Sequence, residues 1–184
     1  KEWSPYQEGA FAPALCNRID RNTGGIVIAA KTAEGLRVMN QKIRDRELKK
    51  YYLCIVHGTL PRPAGRLEVT VSSRPRPGAK TAVTLYETLA VRNGLSLVRC
   101  QLITGRTHQI RAQFAAAGHP LLGDGKYGSE RQNKRYGRSY QALYSYRLEF
   151  CFTTDAGALA PLDGQQFQVE QVDFVTEYFP GFSL

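Results

Sequence analysis

Redox-active and metal-binding side chains are scarce in this chain of 184 residues, which holds four cysteines, three histidines, one methionine and one tryptophan. Cys16, Cys54, Cys100 and Cys151 are dispersed and form no Cys-x-x-Cys pair, so neither a zinc cluster nor a dithiol motif is encoded. Cys54 and Cys100 fall in apolar, strand-like runs and read as small buried hydrophobes, which suits a reducing cytoplasm. No two histidines stand in a His-x-x-x-His pair. A metal reading would have to use His108, His119 and Asp124, and the expectation is that no metal or cofactor is needed. No apolar run is long enough to cross a bilayer, and residues 1–13 are polar and aromatic, unlike a signal peptide. A basic amphipathic helix with a Trp/Phe/Leu face is missing too, so a membrane surface is not the expected partner. There is no internal repeat.

What is abundant is positive charge. Lys and Arg total 25 against 16 Asp and Glu, a formal net charge of +9. Such a balance favours a polyanion, nucleic acid first. With 42% hydrophobic residues the chain can fold as one domain with a sizeable core.

The acidic residues that remain are informative by position. Asp20 stands between Arg18 and Arg21 and is followed by Asn22-Thr23-Gly24-Gly25. Opposite charge beside a carboxylate favours its ionised form, and a Gly-bounded turn presents it on fixed backbone. That suits a nucleophile or an electrostatic stabiliser. A turn-forming Asp or a plain surface charge would give the same letters. A calcium loop starting at Asp20 fails at its twelfth position, where Lys31 stands in place of Glu.

A second constellation is Thr104-Gly105-Arg106-Thr107-His108-Gln109-Ile110-Arg111, at a strand-to-helix junction. Helical spacing puts Ile110, Phe114 and Ala117 on a core face and displays Arg111 away from it, within reach of a neighbouring loop. The helix start also offers free N–H groups to a phosphate. A third is Lys50-Tyr51-Tyr52, where strand alternation sends the two rings to opposite faces, one to the core and one free to stack on a base.

Periodicity predicts a strand over Ile26–Ala30 and a helix capped by Thr32 with Leu36, Met39 and Ile43 on its buried stripe. Lys42, Arg44 and Arg46 fall elsewhere on the cylinder. Strands follow at Tyr51–Val56, Leu67–Val71, Thr81–Ala90 and Leu95–Leu102, with Asn93-Gly94 as a hairpin turn. Arg74–Lys80 reads as a basic, Pro-rich loop. A helix from His108 to Ala117 stops at Gly118. Residues 123–140 read as loop, and Leu143–Phe152 and Phe167–Phe174 as closing strands. The expected class is α+β, with a mainly antiparallel mixed sheet, a few packed helices and long loops.

In this order the three constellations resemble the RluA-like pseudouridine synthases. That family carries an Arg-Leu-Asp-x-x-Thr-Ser-Gly-like stretch, a Lys-x-Tyr strand ending in Val-x-Gly, and Thr-Gly-Arg-x-His-Gln-Ile-Arg, then Gly-His-Pro and Gly-Asp-x-x-Tyr-Gly. Here these are Asn17–Gly25, Lys50–Gly58, Thr104–Arg111, Gly118-His119-Pro120 and Gly123–Gly128. Asn17, Ile19 and Gly24 depart from the usual pattern around Asp20. The resemblance implies isomerisation of uridine to pseudouridine in RNA, with no cofactor or metal. It implies Asp20 as the essential carboxylate, Tyr52 as the ring packed on uracil that assists proton removal, and Arg111 as the partner of Asp20. It implies Arg18 as the residue that fills the space of a flipped base. Arg18, Arg21, Arg106, His108 and Gln109 are expected RNA contacts. The expected substrate is large-subunit ribosomal RNA, with transfer RNA as the alternative, acted on by a cytoplasmic monomer. Residues 1–184 are expected to be one catalytic domain lacking the N-terminal part of a longer protein. An RNA-binding module without chemistry is the competing reading. It would have been favoured by loss of Asp20, Tyr52 or Arg111, and all three are present.

Overall fold

The computed structural model describes residues 11–71 and 80–184. Its frame is a sheet in the order β2-β8-β4-β7-β6-β5. These strands are Gly24–Gly25 (β2), Leu48–His57 (β4), Ala64–Val71 (β5), Lys80–Arg92 (β6), Leu95–Leu102 (β7) and Leu143–Phe150 (β8). Gln166–Gln168 (β9) adds to β8. All pairings are antiparallel except β2 with β8, so the expected class holds. The helices are Ala33–Arg44 (α1), Gln109–Ala116 (α2), Glu130–Arg135 (α3) and Asp173–Tyr178 (α4).

β4 and β7 form the centre because their side chains are apolar on both faces, as sandwiched strands must be. Cys54, Val56, Val98 and Cys100 pack under Ile110 and Phe114 of α2. Leu53, Ile55 and Leu97 pack on the other face against Phe174 and Val175 of α4. The hairpin signal at Asn93-Gly94 is realised: both residues have positive φ, 51° and 75°, as a tight turn between twisted strands needs.

Helix α1 starts where its cap predicts, with the Thr32 hydroxyl accepting from the Gly35 N–H at 3.0 Å. One expectation for it is corrected. Lys42 is fully buried, donating to Glu47 at 2.7 Å and to the carbonyl and hydroxyl of Thr154 at 2.6 and 2.7 Å. A buried ammonium is tolerated only when paired and hydrogen-bonded, and these three acceptors meet that demand.

Further boundaries differ from the sequence reading: strands β4 and β5 each begin three residues earlier than expected, at Leu48 and Ala64. Ile26–Ala30 is not one strand: only Ala29–Ala30 (β3) pairs, with Ala14–Leu15 (β1), while Ile26 and Ile28 pack beside α1. Residues 130–135 within the expected loop form α3. The expected last strand, Phe167–Phe174, is split into β9 and the start of α4, because Phe174 is needed as a helical core residue against β4. Strand β8 stops at Phe150, two residues early. The basic loop Arg74–Lys80 falls almost wholly outside the described residues.

Candidate active site

The small β1–β3 pair holds both ends of an excursion, residues 16–28, whose tip carries Asp20. Its base is closed by the Cys16 N–H donating to the Ile28 carbonyl and the Ile28 N–H donating to Asn17 Oδ1, both at 2.8 Å. At the tip, the Thr23 N–H donates to the Asp20 carbonyl at 3.0 Å, with Asn22 in the left-handed region at φ 64°. Asn accepts that conformation more readily than most residues. The excursion then docks on the large sheet. Gly24 and Gly25 run parallel to Tyr144 and Ser145, and the Ile26 N–H donates to the Ser145 carbonyl at 2.8 Å. Gly25 has φ 114°, and a Cβ there would lie 2.2 Å from that carbonyl oxygen. Only glycine permits the approach. Gln141, at the entry to β8, adds a hydrogen bond to the Arg21 carbonyl.

This docking carries Asp20 to a cleft of about 560 Å³ whose lining also includes Tyr52, Arg18, Arg106 and His108. Tyr52 comes from the centre of β4 and is the ring on the cleft side, while Tyr51 points to the opposite face and meets Arg147. Burial pushes the Tyr52 phenol above its ordinary value, with the Asp20 charge adding to the effect against an opposing contribution from Ser145. The phenol is therefore a neutral O–H at physiological pH.

Arg111 lies beneath the cleft, on the first turn of α2. Its Nη1 is 3.6 Å from Asp20 Oδ2. On its other edge, Nε and Nη2 donate to Asp124 Oδ2 and Oδ1 at 2.7 and 3.0 Å. Asp124 is wholly buried and also accepts from the Lys126 and Tyr127 N–H groups at 2.9 and 3.0 Å. Burial raises its pKa, but the Arg111 bond and these amides outweigh it and hold the carboxyl below its ordinary range. Asp124 raises Arg111 further, against burial and with help from Asp20. The Tyr127 ring lies 5.4 Å from the guanidinium centre. Arg111 is thus displayed away from the apolar stripe and reaches its loops as expected, although it is buried and not on the surface.

The remaining expected RNA contacts divide. Arg18 and Arg106 line the cleft, and Arg106 has a buried Nε with no hydrogen-bond partner among the described residues. His108 sits in the left-handed region, φ 54°, at the head of α2, with its Nδ1 3.2 Å from the Tyr127 hydroxyl. Gln109 borders the cleft, but its amide is spent inside the protein. Nε2 donates to the Val83 carbonyl and the Thr84 hydroxyl, and Oε1 accepts from Thr104 and from the Arg106 N–H. It braces the 104–109 turn. Arg21 is exposed and is not among the lining residues. The alternative metal set does not assemble. Asp124 is held by Arg111, and His119 Nδ1 lies 2.9 Å from the His57 carbonyl. Among the described residues no three His, Cys, Asp or Glu side chains cluster as ligands.

Sequence reasoning passed over three contributors. Asp124 enters the sequence reading as part of a motif and as a possible metal ligand, not as the partner of Arg111 that it is. Lys50 precedes Tyr52 by two residues, so strand alternation places it on the same face, along the same cleft. Arg46, assigned to the outside of a helix, lines that cleft as well.

The model of the RNA pseudouridylate synthase family matches residues 2–116. An uncharacterized RNA pseudouridine synthase of Mycoplasma genitalium is 36% identical over 155 residues, covering 76% of this chain and 47% of the relative. The ribosomal large subunit pseudouridine synthase D of Neisseria meningitidis is 32% identical over 154 residues, covering 74% of this chain and 41% of the relative. The chain thus spans about half or less of the length of these curated relatives. Among solved structures, human RNA pseudouridylate synthase domain containing 4 shares the fold, with a TM-score of 0.72 at 23% identity over 90% of this chain and 74% of that one. On the match across most of its length, this chain belongs to the RNA pseudouridylate synthase family.

Proposed function

We propose that the chain isomerises uridine to pseudouridine in RNA at this cleft. The observation that carries the reading is that Asp20 and Tyr52, from separate chain segments, line one cleft, while the buried Arg111 of a third segment contacts Asp20 from beneath it. A stacked uridine is out of reach of a recessed carboxylate, so the base must be flipped out of the RNA, with Arg18 at the rim filling the space it leaves. The uracil then lies against the neutral Tyr52 ring. As the N1–C1′ bond breaks, electron density passes to the uracil and positive charge develops at C1′. Asp20 supplies the opposing charge there, either by bonding to C1′ or by facing it, on backbone already fixed by the Gly24–Gly25 docking. The uracil turns and C5 bonds to C1′, expelling the Asp20 carboxylate where it had bonded there; the C5 proton then leaves and N1 takes one up. Product and substrate are isomers, so no oxidant, reductant or cofactor enters the balance. Arg111 fixes the Asp20 carboxylate by one contact.

Large-subunit ribosomal RNA is the proposed substrate, supported by the Neisseria relative that bears that name. The enzyme is proposed to act as a monomer in the cytoplasm. The dispersed cysteines, with no Cys-x-x-Cys pair, suit a reducing compartment. The test is Asp20→Asn, expected to abolish pseudouridine formation while leaving folding and RNA affinity largely intact. Mapping pseudouridines in cellular RNA with and without the gene identifies the target. A site in transfer RNA alone would overturn the ribosomal assignment, and retained turnover by the variant would overturn the role of Asp20.

A further inference from the structure

One wall of the cleft has no part in the chemistry above. It is built from the end of α1, the turn after it and the start of β4, and it places Arg44, Arg46 and Lys50 along the cleft. Leu48, Lys50 and Tyr52 share one face of β4, so Lys50 stands one pleat, about 7 Å, from the tyrosine that would carry the uracil. None of these three cations has a carboxylate within 4.0 Å among the described residues; the same holds for several cations away from the cleft, and what sets these three apart is that they line it together. Lys50 makes no side-chain hydrogen bond to a described residue, and burial pulls its ammonium below the ordinary lysine value. An unpaired cation half out of water is costly, and that cost is relieved when an anion arrives.

Arg46 adds a second, independent sign. The end of α1 is closed by the Glu47 N–H donating to the Lys42 carbonyl and the Arg46 N–H to the Ile43 carbonyl, at 3.0 and 3.3 Å. In that closure the residue after the cap adopts the left-handed conformation and is usually Gly. Here it is Arg46, at φ 62°. Backbone strain accepted for a particular side chain points to a use for that side chain.

Resting on the reading of this cleft as an RNA site, we propose that Lys50 and Arg46, with Arg44 beside them, bind a backbone phosphate of the nucleotide flanking the flipped uridine. The ligand class is the RNA phosphodiester. The wall and the 104–109 turn line the same cleft, so both can hold the strand that carries the target base. Phosphate contacts position RNA without reading its sequence, so this wall sets affinity and register and leaves the choice of uridine to other contacts.

The test uses the whole chain and variants Lys50→Met, Lys50→Arg and Arg46→Gly. A labelled oligouridylate is titrated at several salt concentrations, and turnover is followed on RNA extracted from cells lacking the gene. Lys50→Met and Arg46→Gly should each weaken oligouridylate binding by about tenfold, as for loss of a charged hydrogen bond. Each should lower the salt slope by ~0.7, the value for one single-strand phosphate. KM should rise in step while kcat is retained, and Lys50→Arg should keep the slope. Arg46→Gly should be at least as thermally stable as the parent, because glycine relieves the backbone. Unchanged slopes would overturn the proposal. So would a fall in kcat at constant KM for Lys50→Met, which would make Lys50 a proton-transfer group toward Tyr52. If the slopes fall as expected but the parent chain makes no pseudouridine, the phosphate wall stands and the isomerase reading fails.

Discussion

Arg111 stands 3.6 Å from Asp20 through Nη1 alone, because its other edge is already held by Asp124. One cation therefore serves two carboxylates, and the nearer one is not the proposed reactive group. Asp124 takes the short bidentate bond and fixes the plane of the guanidinium. Asp20 is left with a single longer contact that orients it without binding it fully. A fork of this kind needs arginine, since an ammonium offers no second rigid edge.

Asp124→Asn should show how much this depends on the buried pair. Removing one partner of a buried pair leaves an uncompensated charge, at a cost of ~3–5 kcal/mol. For a chain of this size that is a fall in Tm of roughly 6–20 °C. Turnover should drop as well, because the guanidinium is free to swing onto Asp20. Calorimetry and a tritium-release assay on the substrate RNA read the two effects. A variant with parental Tm and turnover would show that Asp124 does not position Arg111.

The second buried pair makes a pH prediction. The bond from Lys42, with help from Thr153 and Thr154, holds the Glu47 carboxyl at about 2, against an ordinary value of 4.5. The folded chain thus takes up this proton less readily than the unfolded chain. Its contribution to stability is complete above pH 4.5 and is lost as pH falls toward 2. Glu47→Gln should flatten the acid limb of Tm against pH in that window. At neutral pH it should also lower Tm, because the buried Lys42 loses its anionic partner. An acid limb identical to that of the parent would remove Glu47 from the account.

Gly25→Ala tests the docking of the Asp20 excursion. Its Cβ would meet backbone, the Ser145 carbonyl, and the φ of 114° disfavours alanine independently. The expected cost is ~2–4 kcal/mol, with loss of turnover beyond what lost stability explains, since the shift is passed to Asp20. A crystal structure of the variant with Asp20 unmoved relative to Arg111 would contradict this.

Local signals were legible where one residue does one job. Thr32 caps, Asn93-Gly94 turns, and Gly118 follows α2 with a positive φ of 83°. The convergence of Asp20 and Arg111 could be expected because each lies in a dense polar motif and the motifs come in a recurring order. Lys42 could not be placed from sequence, because its meaning depends on Thr154, 112 residues away. The apolar run after Phe167 reads as strand by alternation, yet tertiary packing uses Phe174 and Val175 as one helical face. Gln109 looked like a ligand-facing amide because sequence shows a polar group but not whether its bonds are already taken. Arg46 was invisible for the opposite reason: nothing in its neighbours announces a left-handed backbone.

The chain carries +9, and Arg18, Arg44, Arg46, Lys50 and Arg106 all line one cleft. Elsewhere many cations are tied to carboxylates, as Arg99 is to Glu87 and Lys134 to Glu130. A paired cation is already neutralised by its carboxylate, so the cleft cations, none of them in an ion pair among the described residues, are expected to carry the RNA-binding charge. Log affinity for single-stranded RNA should therefore fall linearly with log salt, at a slope of about 0.7 per phosphate held. If each cleft cation takes one phosphate, the slope should approach ~3.5. Neutralising Arg99 or Lys134 should leave it unchanged, whereas neutralising Arg18 or Arg106 should lower it. A slope that falls equally for cleft and distant substitutions would mean that the excess charge acts as a diffuse field. The cleft would then lose its claim to be the path of the RNA strand, whatever reaction it performs.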